Sequence, residues 1–397
     1  MADYRKMNRK FAFMNRQIPF NKPFLTGKET QYIEQAVAAG KISGDGEFSI
    51  KCHRFFEHRY GFTKALLTTS CSDALEMCAL LINTQPGDEI IMPAYTFVST
   101  ANAFVLRGAS IVFADSEHNT PNIDTEKLER LITPKTKAIV VVHYAGIACN
   151  MDAVTDVAQR HGLYVIEDAA HSIDSYYWQR PLGSIGHLSA FSFHETKNVI
   201  AGEGGMLVIN DPKFVLRAEI LREKGTNRTA FFRGEVSRYE WVDIGSSFLP
   251  SELTAAFLFA QLEQIDQIQQ KRIALWNRYY ERLAAAEARH YARLPYLPPW
   301  SHRNGHLFFL ICPDNNTRNR LIAHLRAKGI YAVFHYLALH NSPYYQQKHT
   351  GGSLPMATHY TNCLVRLPLF YELSFEEVDY ICDEVLSFFT EAHNNLP

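Results

Sequence analysis

The sequence predicts an α/β protein with a large domain, built on a mostly parallel sheet flanked by helices, and a smaller C-terminal α/β domain. The chain has 397 residues, 47% of them hydrophobic, which is more than one small core needs. Short apolar, often β-branched runs alternate with helical patterns in its first half, which is typical of crossover units around a parallel sheet. A long helical stretch after Ser251 leads to a second group of strands and helices. We therefore expect an N-terminal extension over 1–17, a large domain over 18–265 and a small domain over 266–397.

The first predicted elements are helices over 30–39 and 48–60, separated by the glycine-rich turn 40–46. Short apolar strands follow, with helical patterns between them. The predicted strands are 65–68, 89–92, 110–114, 138–142 and 163–166, and the predicted helices are 125–132 and 153–161. Ligands of such sheets gather outside the carboxyl ends of the strands, so we expect the functional site there.

The predicted second domain follows the helical stretch that runs from 251 to about 286. Its predicted strands are 307–312 and 331–334, and its predicted helices are 318–328 and 375–390. The sequence contains no internal repeat and no low-complexity segment.

Charge and cysteine content exclude several classes of function. With 40 basic and 41 acidic side chains, the chain has no overall field that attracts nucleic acid or a membrane surface. Its seven cysteines are widely spaced without a C-x-x-C pair, which argues against a disulfide framework or a zinc site. The motifs of kinases, dinucleotide-dependent dehydrogenases, serine hydrolases and zincins are missing. No apolar run is long enough for a membrane span, so we predict a cytoplasmic protein. We also predict no metal site, because the 17 histidines do not cluster with metal-ligand spacing.

Three segments together indicate a cofactor. Lys197 lies among aromatic and hydroxyl residues in the segment 191–198, ahead of a glycine-rich run. Asp168 ends a predicted buried strand, and the hydroxyl-rich segment 68–75 opens a helix whose free N–H groups form an anion site. Each feature alone is ordinary, because most lysines are surface residues and many aspartates at strand ends are caps. Together they predict pyridoxal 5'-phosphate (PLP), which needs a lysine for its Schiff base, an acid for its pyridine nitrogen and donors for its phosphate.

Further motifs extend over nearly the whole chain. They are Pro-Gly-Asp-Glu-Ile-Ile-Met-Pro at 86–93, Tyr-Thr-Phe-Val-Ser-Thr at 95–100, His-Tyr-Ala-Gly at 143–146, Glu-Asp-Ala-Ala at 167–170, Ser-Phe-His-Glu-Thr-Lys-Asn at 192–198 and Gly-Glu-Gly-Gly at 202–205. This set resembles the sugar aminotransferases of the DegT/DnrJ/EryC1/StrS family. The resemblance implies the aspartate-aminotransferase-like fold (fold type I), a PLP-dependent transaminase and a homodimer with shared active sites.

The resemblance also implies two catalytic residues. Lys197 would hold PLP and transfer the substrate proton, which requires a pKa well below its free value of about 10.4. Asp168 would pair with the pyridine nitrogen and keep the ring an electron sink. The backbone amides of Cys71 and Ser72 would donate to the phosphate, which Asn227 would reach from the partner subunit. The cofactor contacts implied beside the two catalytic residues are Ser70, Cys71, Ser72, Phe97, His171, Ser192 and Asn227.

Several of these contacts have a simpler structural alternative. The hydroxyls of Ser70 and Ser72 can cap a helix, and Ser70 with Asp73 fits a capping box. Phe97, which is expected to stack on the cofactor ring, would look the same in sequence as a core phenylalanine. His171, expected near the phenolic oxygen of the cofactor, can equally be a packed histidine.

Three later segments look like the enzymes of this family that aminate C4 of dTDP-4-keto-6-deoxyglucose. These segments are 224–228, 231–234 and 241–247. The implied reaction moves the amino group of L-glutamate to the sugar and gives dTDP-4-amino-4,6-dideoxygalactose for a surface polysaccharide such as the O-antigen of lipopolysaccharide. The implied substrate contacts are Arg233, His335, Tyr336 and His340.

Other reactions on the same scaffold stay open at this point. The gluco product differs only in the face at which C4 is protonated, and some relatives aminate C3. Relatives that dehydrate their sugars carry histidine in place of the lysine, so Lys197 disfavours dehydration. A catalytically silent binding protein would lack Lys197 or Asp168, and both residues are present.

Overall fold

The computed structural model describes residues 17–394, the last three without their side chains. The predicted N-terminal extension over 1–17 therefore lies outside the described residues, apart from Gln17. Within the described part of the chain, no helix combines the length and the apolar character that a membrane span requires. Two helices, α1 (Glu29–Ala38) and α2 (Glu47–Tyr60), precede the first strand.

A seven-stranded sheet forms the centre of the molecule. Its strands are β1 (Lys64–Thr68), β2 (Glu89–Pro93), β3 (Ser110–Ala114), β4 (Thr136–Val142), β5 (Tyr164–Asp168), β8 (Leu188–Ser192) and β9 (Gly205–Ile209). They are arranged in the order β1-β9-β8-β5-β4-β2-β3. Only β9 runs against its neighbours, since β2, β3, β4, β5 and β8 pair in parallel. The predicted, mostly parallel sheet is confirmed.

Helices cover both faces of this sheet. They are α3 (Cys71–Leu81), α4 (Val98–Val105), α5 (Met151–His161), α6 (Val215–Arg222) and α8 (Glu252–Leu262), whose Ala255 and Leu258 share an apolar cluster with Leu67 of β1. The short α7 (Arg228–Phe232) has no buried side chain. Alternate side chains of a strand point to opposite faces, so Ile90 and Met92 pack in one apolar cluster and Ile91 in another. This two-sided burial explains why the strands are continuous apolar runs.

The C-terminal part has its own apolar core and a small antiparallel sheet. Its elements are α9 (Ile265–Ala288), β11 (Phe308–Ile311), α10 (Asn315–Ala327), α11 (Pro355–Cys363), β12 (Leu364–Leu367) and α12 (Phe375–Asn394). The short strands β6 (Tyr176–Tyr177), β7 (Arg180–Pro181) and β10 (Ser301–His302) form a third sheet. Leu275, Leu321 and Ile381 belong to a buried cluster distinct from the clusters at the central sheet. The domain boundary between 265 and 266 stays a prediction.

Three predicted elements differ from the structure. The stretch 251–286 is two helices, α8 and α9, because the chain leaves the helical path at Glu263 and Gln264. The segment 125–132 is a 3₁₀ helix over Thr125–Leu131. The predicted strand 331–334 is wrong, since it makes only an isolated bridge between Val333 and Arg366. The partner of β11 is instead β12, whose register pairs Phe308 with Leu367.

The sheet brings the predicted chemical groups to one edge. Asp168 ends β5 and Ser192 ends β8, and these strands are parallel neighbours. Thr68, at the end of β1, and Ser192 both pair with Gly205, so β1 and β8 finish beside the same glycine. The turn that opens α3 therefore lies next to the chain that leads to Lys197.

Candidate active site

A cavity of about 620 Å³ opens at this edge of the sheet. Its volume suits a small-molecule ligand. Ten of the residues predicted from the sequence line it. They are Ser70, Cys71, Ser72, Phe97, Asp168, His171, Ser192, Lys197, His335 and Tyr336.

Lys197 lies in the turn that follows β8 and reaches the cavity. Burial, with a smaller contribution from the charge of Arg366, lowers the pKa of its ammonium group to about 8, although Cys71 and Asp168 oppose the shift. A pKa of about 8 leaves about a tenth of the side chain neutral at pH 7, compared with less than about a thousandth at the unperturbed value. Lys197 is therefore prepared to act as a nucleophile and as a base.

Asp168 is buried at the end of β5 and presents a carboxylate to the same cavity. The Thr100 hydroxyl donates to Oδ2 at 2.7 Å, and the Ala170 amide donates to Oδ1 at 3.2 Å. Burial raises its pKa, although both hydrogen bonds and the charge of Lys197 act in the opposite direction. A cationic ring nitrogen beside this carboxylate would stabilise its ionised form.

Glu167, the residue before Asp168 on β5, carries a second buried carboxylate, which faces the opposite side of the sheet. His143 accepts a hydrogen bond from the Cys149 amide at Nδ1, so its Nε2 carries the proton and donates to Glu167 at 3.0 Å. Burial alone would raise the pKa of Glu167, but the bonds from His143 and from the amides of Gly183 and Gly186 lower it. Since His143 also donates its backbone amide to the Asp168 carbonyl at 3.4 Å, this pair fixes the strand end that carries Asp168.

The start of α3 forms an anion site in the cavity wall. Ser70 is the N-cap, and its hydroxyl accepts from the Asp73 amide at 3.1 Å. The predicted capping box is only half formed, because the Asp73 carboxylate accepts from the hydroxyl of Thr69 instead. The amides of Cys71 and Ser72, at the first two helical positions, are free to bind an anion.

Gly205 sets the shape of this anion site. A Cβ at that position would lie 2.2 Å from the carbonyl carbon of Ser70 and 2.4 Å from the amide nitrogen of Cys71. Only glycine therefore permits β9 to approach the turn so closely. The Ser72 hydroxyl donates to Ser99 at 2.6 Å, and Ser192 lies on the same wall.

Aromatic side chains form the rest of the cavity. Phe97 is 54% exposed, so it is not a core phenylalanine and its ring is available for stacking. His171 lines the cavity and is also packed, because its ring stacks on that of His306 with centroids 4.3 Å apart. Its Nδ1 accepts from the Ala145 amide, so Nε2 faces the Tyr336 hydroxyl at 3.3 Å as a donor. Burial lowers the pKa of His171 well below its usual value, which keeps the ring neutral.

Three predicted residues do not line the cavity of this subunit. Asn227 is bonded within its own loop, where it donates to the Arg238 carbonyl and accepts from the Glu240 amide. The guanidinium of Arg233 forms ion pairs with Glu219 and Glu235, so its role in binding a diphosphate stays a prediction. His340 is buried against Phe113 and His349, outside the cavity, because the loop after Tyr336 turns away.

The structure also adds residues that the sequence did not single out. Thr100 belongs to the motif at 95–100, but nothing in that motif indicated that its hydroxyl donates a hydrogen bond to Asp168. His306, Phe20 and Asn21 come from distant segments. Arg366 did leave a signal, since it is a charged residue inside the apolar run of β12.

Comparison with known proteins shows which family this chain belongs to. The model of the DegT/DnrJ/EryC1/StrS aminotransferase family matches residues 23–386. The chain belongs to this family. It is 34% identical over 385 residues to the spore coat polysaccharide biosynthesis protein SpsC of Bacillus subtilis, covering 94% of this chain and 97% of that protein.

Solved structures agree with this assignment. A putative sugar aminotransferase from Streptococcus pneumoniae in its PMP form superposes with a TM-score of 0.87 at 26% identity, covering 94% of this chain and 99% of that one. DesV of S. venezuelae superposes with a TM-score of 0.85 at 28% identity over the same shares of the two chains. The fold is therefore the predicted PLP-dependent sugar aminotransferase fold, and the protein is a transaminase that uses PLP.

The residues of the cavity fit this cofactor. Within 17–394, Asp168 has no ion-paired partner, and a protonated pyridine nitrogen would provide one. The free amides at the start of α3 and the Ser192 hydroxyl would hold the phosphate, while Lys197 would form the covalent bond. When bound, PLP supplies an electron sink for the transfer of an amino group.

Proposed function

We propose that this aminotransferase moves the amino group of L-glutamate to C4 of dTDP-4-keto-6-deoxyglucose in the cytoplasm, giving dTDP-4-amino-4,6-dideoxygalactose. The proposal rests first on Lys197 and Asp168 meeting at one cavity in a chain of this family. The likeness of 224–228, 231–234 and 241–247 to C4 aminotransferases supports the choice of sugar. The name of the SpsC relative, with its role in spore coat polysaccharide, supports a surface polysaccharide as the destination.

In this proposal the side chains at the cavity divide the work between proton transfer and binding. Lys197, with its lowered pKa, would move the proton from the donor carbon to C4′ of the cofactor in the first half of the reaction, and would move a proton from C4′ to the sugar carbon in the second half. Asp168 keeps the cofactor nitrogen protonated. His335 and Tyr336 line the cavity next to each other, with ring centroids 3.6 Å apart, and would contact the sugar.

We propose further that two subunits share each active site. The loop that carries Asn227 exposes large apolar side chains, including Phe232 at 73% and Trp241 at 81% exposure. Exposed apolar side chains in one segment favour a protein partner, and closed two-fold dimers are the commonest solution. A second copy that covers this loop would carry Asn227 to the phosphate site of the first. Arg233 could contact the diphosphate only from such a neighbouring subunit, and only after its ion pairs with Glu219 and Glu235 break.

The substrate assignment is tested by the product. The cofactor-loaded protein with L-glutamate and dTDP-4-keto-6-deoxyglucose should give a single 4-amino sugar, whose H3–H4 proton coupling is small for the axial nitrogen of the galacto product. Free 4-keto-6-deoxyglucose should react at least about 100-fold more slowly, because it lacks the diphosphate and base that supply charge-assisted contacts. A large coupling would assign the gluco product, and equal rates for the free sugar would refute nucleotide recognition. Reaction with the 3-keto isomer but not with the 4-keto sugar would assign the C3 reaction instead.

A mixed dimer tests the shared site. Lys197→Ala and Asn227→Ala should each nearly inactivate their own homodimers. A purified heterodimer of the two should recover about half the wild-type activity, because one site lacks both residues and the other is intact. If Asn227 serves the lysine of its own chain, each site lacks one residue and nothing is recovered. Asn227→Asp is the matched control for loop structure, because it keeps the acceptor for the Glu240 amide and still places a negative charge where the phosphate is expected.

A further inference from the structure

His306 lines the cavity, but the chemistry described so far does not use it. It lies just before β11, and its side chain is buried. Its ring stacks on His171, and its Nδ1 atom lies 2.8 Å from the Oδ1 atom of Asn198, the residue next to Lys197. One imidazole therefore contacts two parts of the site that are far from it in the chain.

The segment 193–200, which carries Lys197, contains neither helix nor strand. Its shape therefore depends on individual contacts and not on a ladder of backbone hydrogen bonds. The buried side chain of Asn198 supplies two of these contacts, since it donates to Gln269 at 2.8 Å and accepts from His306 at 2.8 Å. The backbone at Lys197 is thus tied, through the neighbouring residue, to α9 and to the chain that precedes β11.

Backbone carbonyls fix the direction of these hydrogen bonds. The side-chain amide of Asn198 also bonds the carbonyl of Asn304, at 3.0 Å, and a carbonyl can only accept. Its Nδ2 atom is therefore the donor and Oδ1 the acceptor, so Nδ1 of His306 must carry a proton. Gln269 agrees with this assignment, because its Nε2 donates to the Ile173 carbonyl at 3.0 Å and its Oε1 accepts from Asn198. Burial lowers the pKa of His306 well below its usual value, so the ring is neutral and its Nε2 has no proton.

The main chain of His306 is fixed as well as its ring. Its amide donates to Oδ1 of Asn304 at 2.9 Å, and the guanidinium of Arg272 donates to its carbonyl at 2.6 Å. Asn304 in turn donates to the carbonyls of His171 and Ile173. All five residues are buried, so the loss of one hydrogen bond would leave a buried polar group unsatisfied. Such a network holds one arrangement of its members.

We propose that His306 is a positioning residue, whose Nδ1–H group holds Asn198 and thereby keeps Lys197 within reach of the aldehyde of PLP. In the step that it serves, the neutral amine of Lys197 forms a C=N bond with the aldehyde carbon, and the aldehyde oxygen leaves as water with the two amine protons. A displacement of about 1 Å can slow such a step about 10²-fold. The inference rests on the proposed role of Lys197, but on neither the proposed amino donor nor the proposed sugar.

The test measures how fast PLP becomes attached to the full-length protein after its cofactor has been removed. Borohydride stops the reaction at set times, and the mass of the protein gives the attached fraction. His306→Phe keeps an aromatic ring against His171 but loses the donor, so its maximal rate should fall about 30-fold or more. Its half-saturating PLP concentration should change less than about threefold, because the groups that bind the phosphate are unchanged.

Two further variants at histidine positions make this result specific. His306→Asn lacks the ring but places an amide N–H group near the position of Nδ1, so its rate should lie within about fivefold of the wild type. The exposed His58→Phe on α2 is the matched control and should equal the wild type. If His306→Asn is as slow as His306→Phe, the ring and not the donor is what matters, and the proposal is wrong.

A double-mutant cycle locates the effect in the contact with Asn198. Asn198→Ala should slow attachment at least as much as His306→Phe, and adding His306→Phe to it should slow the reaction by less than about twofold more, because the contact is already lost. Losses that multiply would show that the two residues act separately and would overturn the proposal.

Nuclear magnetic resonance tests the tautomer in the cofactor-loaded wild-type protein. With ¹⁵N in the histidine rings, the signal that His306→Asn lacks should belong to a ring with its proton on Nδ1, and a proton on Nε2 would overturn the proposal. This measurement decides even if His306→Phe does not fold. Attachment of PLP by the wild type at another lysine would refute the proposed role of Lys197 and this inference with it. An unchanged rate for His306→Phe, with the bond at Lys197, would overturn this inference alone.

Discussion

Lys197→Ala should abolish turnover, with a loss of about 10⁴-fold or more, because one side chain provides both the covalent attachment and the proton transfer. The variant should also lose the visible band of covalently held cofactor. It should still bind PLP noncovalently, since the start of α3, Ser192 and Asp168 are unchanged. Absorption spectra and the mass of the borohydride-reduced protein measure both effects.

Two further lysine variants make this result specific. Lys197→Arg keeps the positive charge but removes the nucleophile, so it should be as inactive as the alanine variant. Lys127→Ala removes a lysine that is 58% exposed and ion-paired with Asp124, and it should behave like the wild type. A cofactor that remains reducible onto Lys197→Ala would mean that another amine carries the bond.

Asp168→Asn should retain bound cofactor and lose turnover by about 10²-fold to 10⁴-fold. The amide can still accept from Thr100, so the strand end should keep its shape, but a neutral side chain no longer holds a proton on the ring nitrogen. The measurement is the rate of the L-glutamate half-reaction at a fixed amount of bound PLP. The exposed Asp156→Asn on α5 is the matched control. Turnover equal to the wild type would remove Asp168 from this role.

The position of Asp168 also explains why this substitution is expected to act on chemistry more than on stability. Its carboxylate accepts two hydrogen bonds from the described part of the chain, and burial raises its pKa. By contrast, Glu167 accepts from His143 and from three backbone amides and has a lowered pKa. Adjacent carboxylates on one strand therefore differ in function, because alternate side chains face opposite sides of the sheet. One is fully satisfied within the fold, and the other is left open to the cavity.

Sequence patterns predicted the central sheet well and the C-terminal part less well. Runs such as 89–92 and 138–142 are apolar on both faces, which only a covered parallel sheet explains. The segments 331–334 and 364–367 are both short and apolar, and local pattern does not say which of them pairs with β11. The pairing of Phe308 with Leu367 decides this, and it joins residues that are far apart in the chain. The break between α8 and α9 was missed for a related reason, since apolar spacing continues across Glu263 and Gln264.

The sequence by itself determined the parts of the site that are contiguous in the chain. Lys197 and Ser192 are fixed relative to each other by five positions of backbone, and Ser70, Cys71 and Ser72 open one helix, so a local motif carries their geometry. Asp168 could be predicted because a strand end has a defined place in a parallel sheet. Family resemblance then gave these groups their chemistry.

Only the tertiary structure decided which remote side chains meet them. Phe20, His306 and Arg366 line the same cavity as Lys197 but come from segments far from it in the chain, and no local pattern encodes such a meeting. Exposure also depends on the assembled fold, which left Phe97 at 54% exposed although its sequence equally suits a core residue. Burial is what lowers the pKa of Lys197 to about 8, and burial is a property of the packed chain.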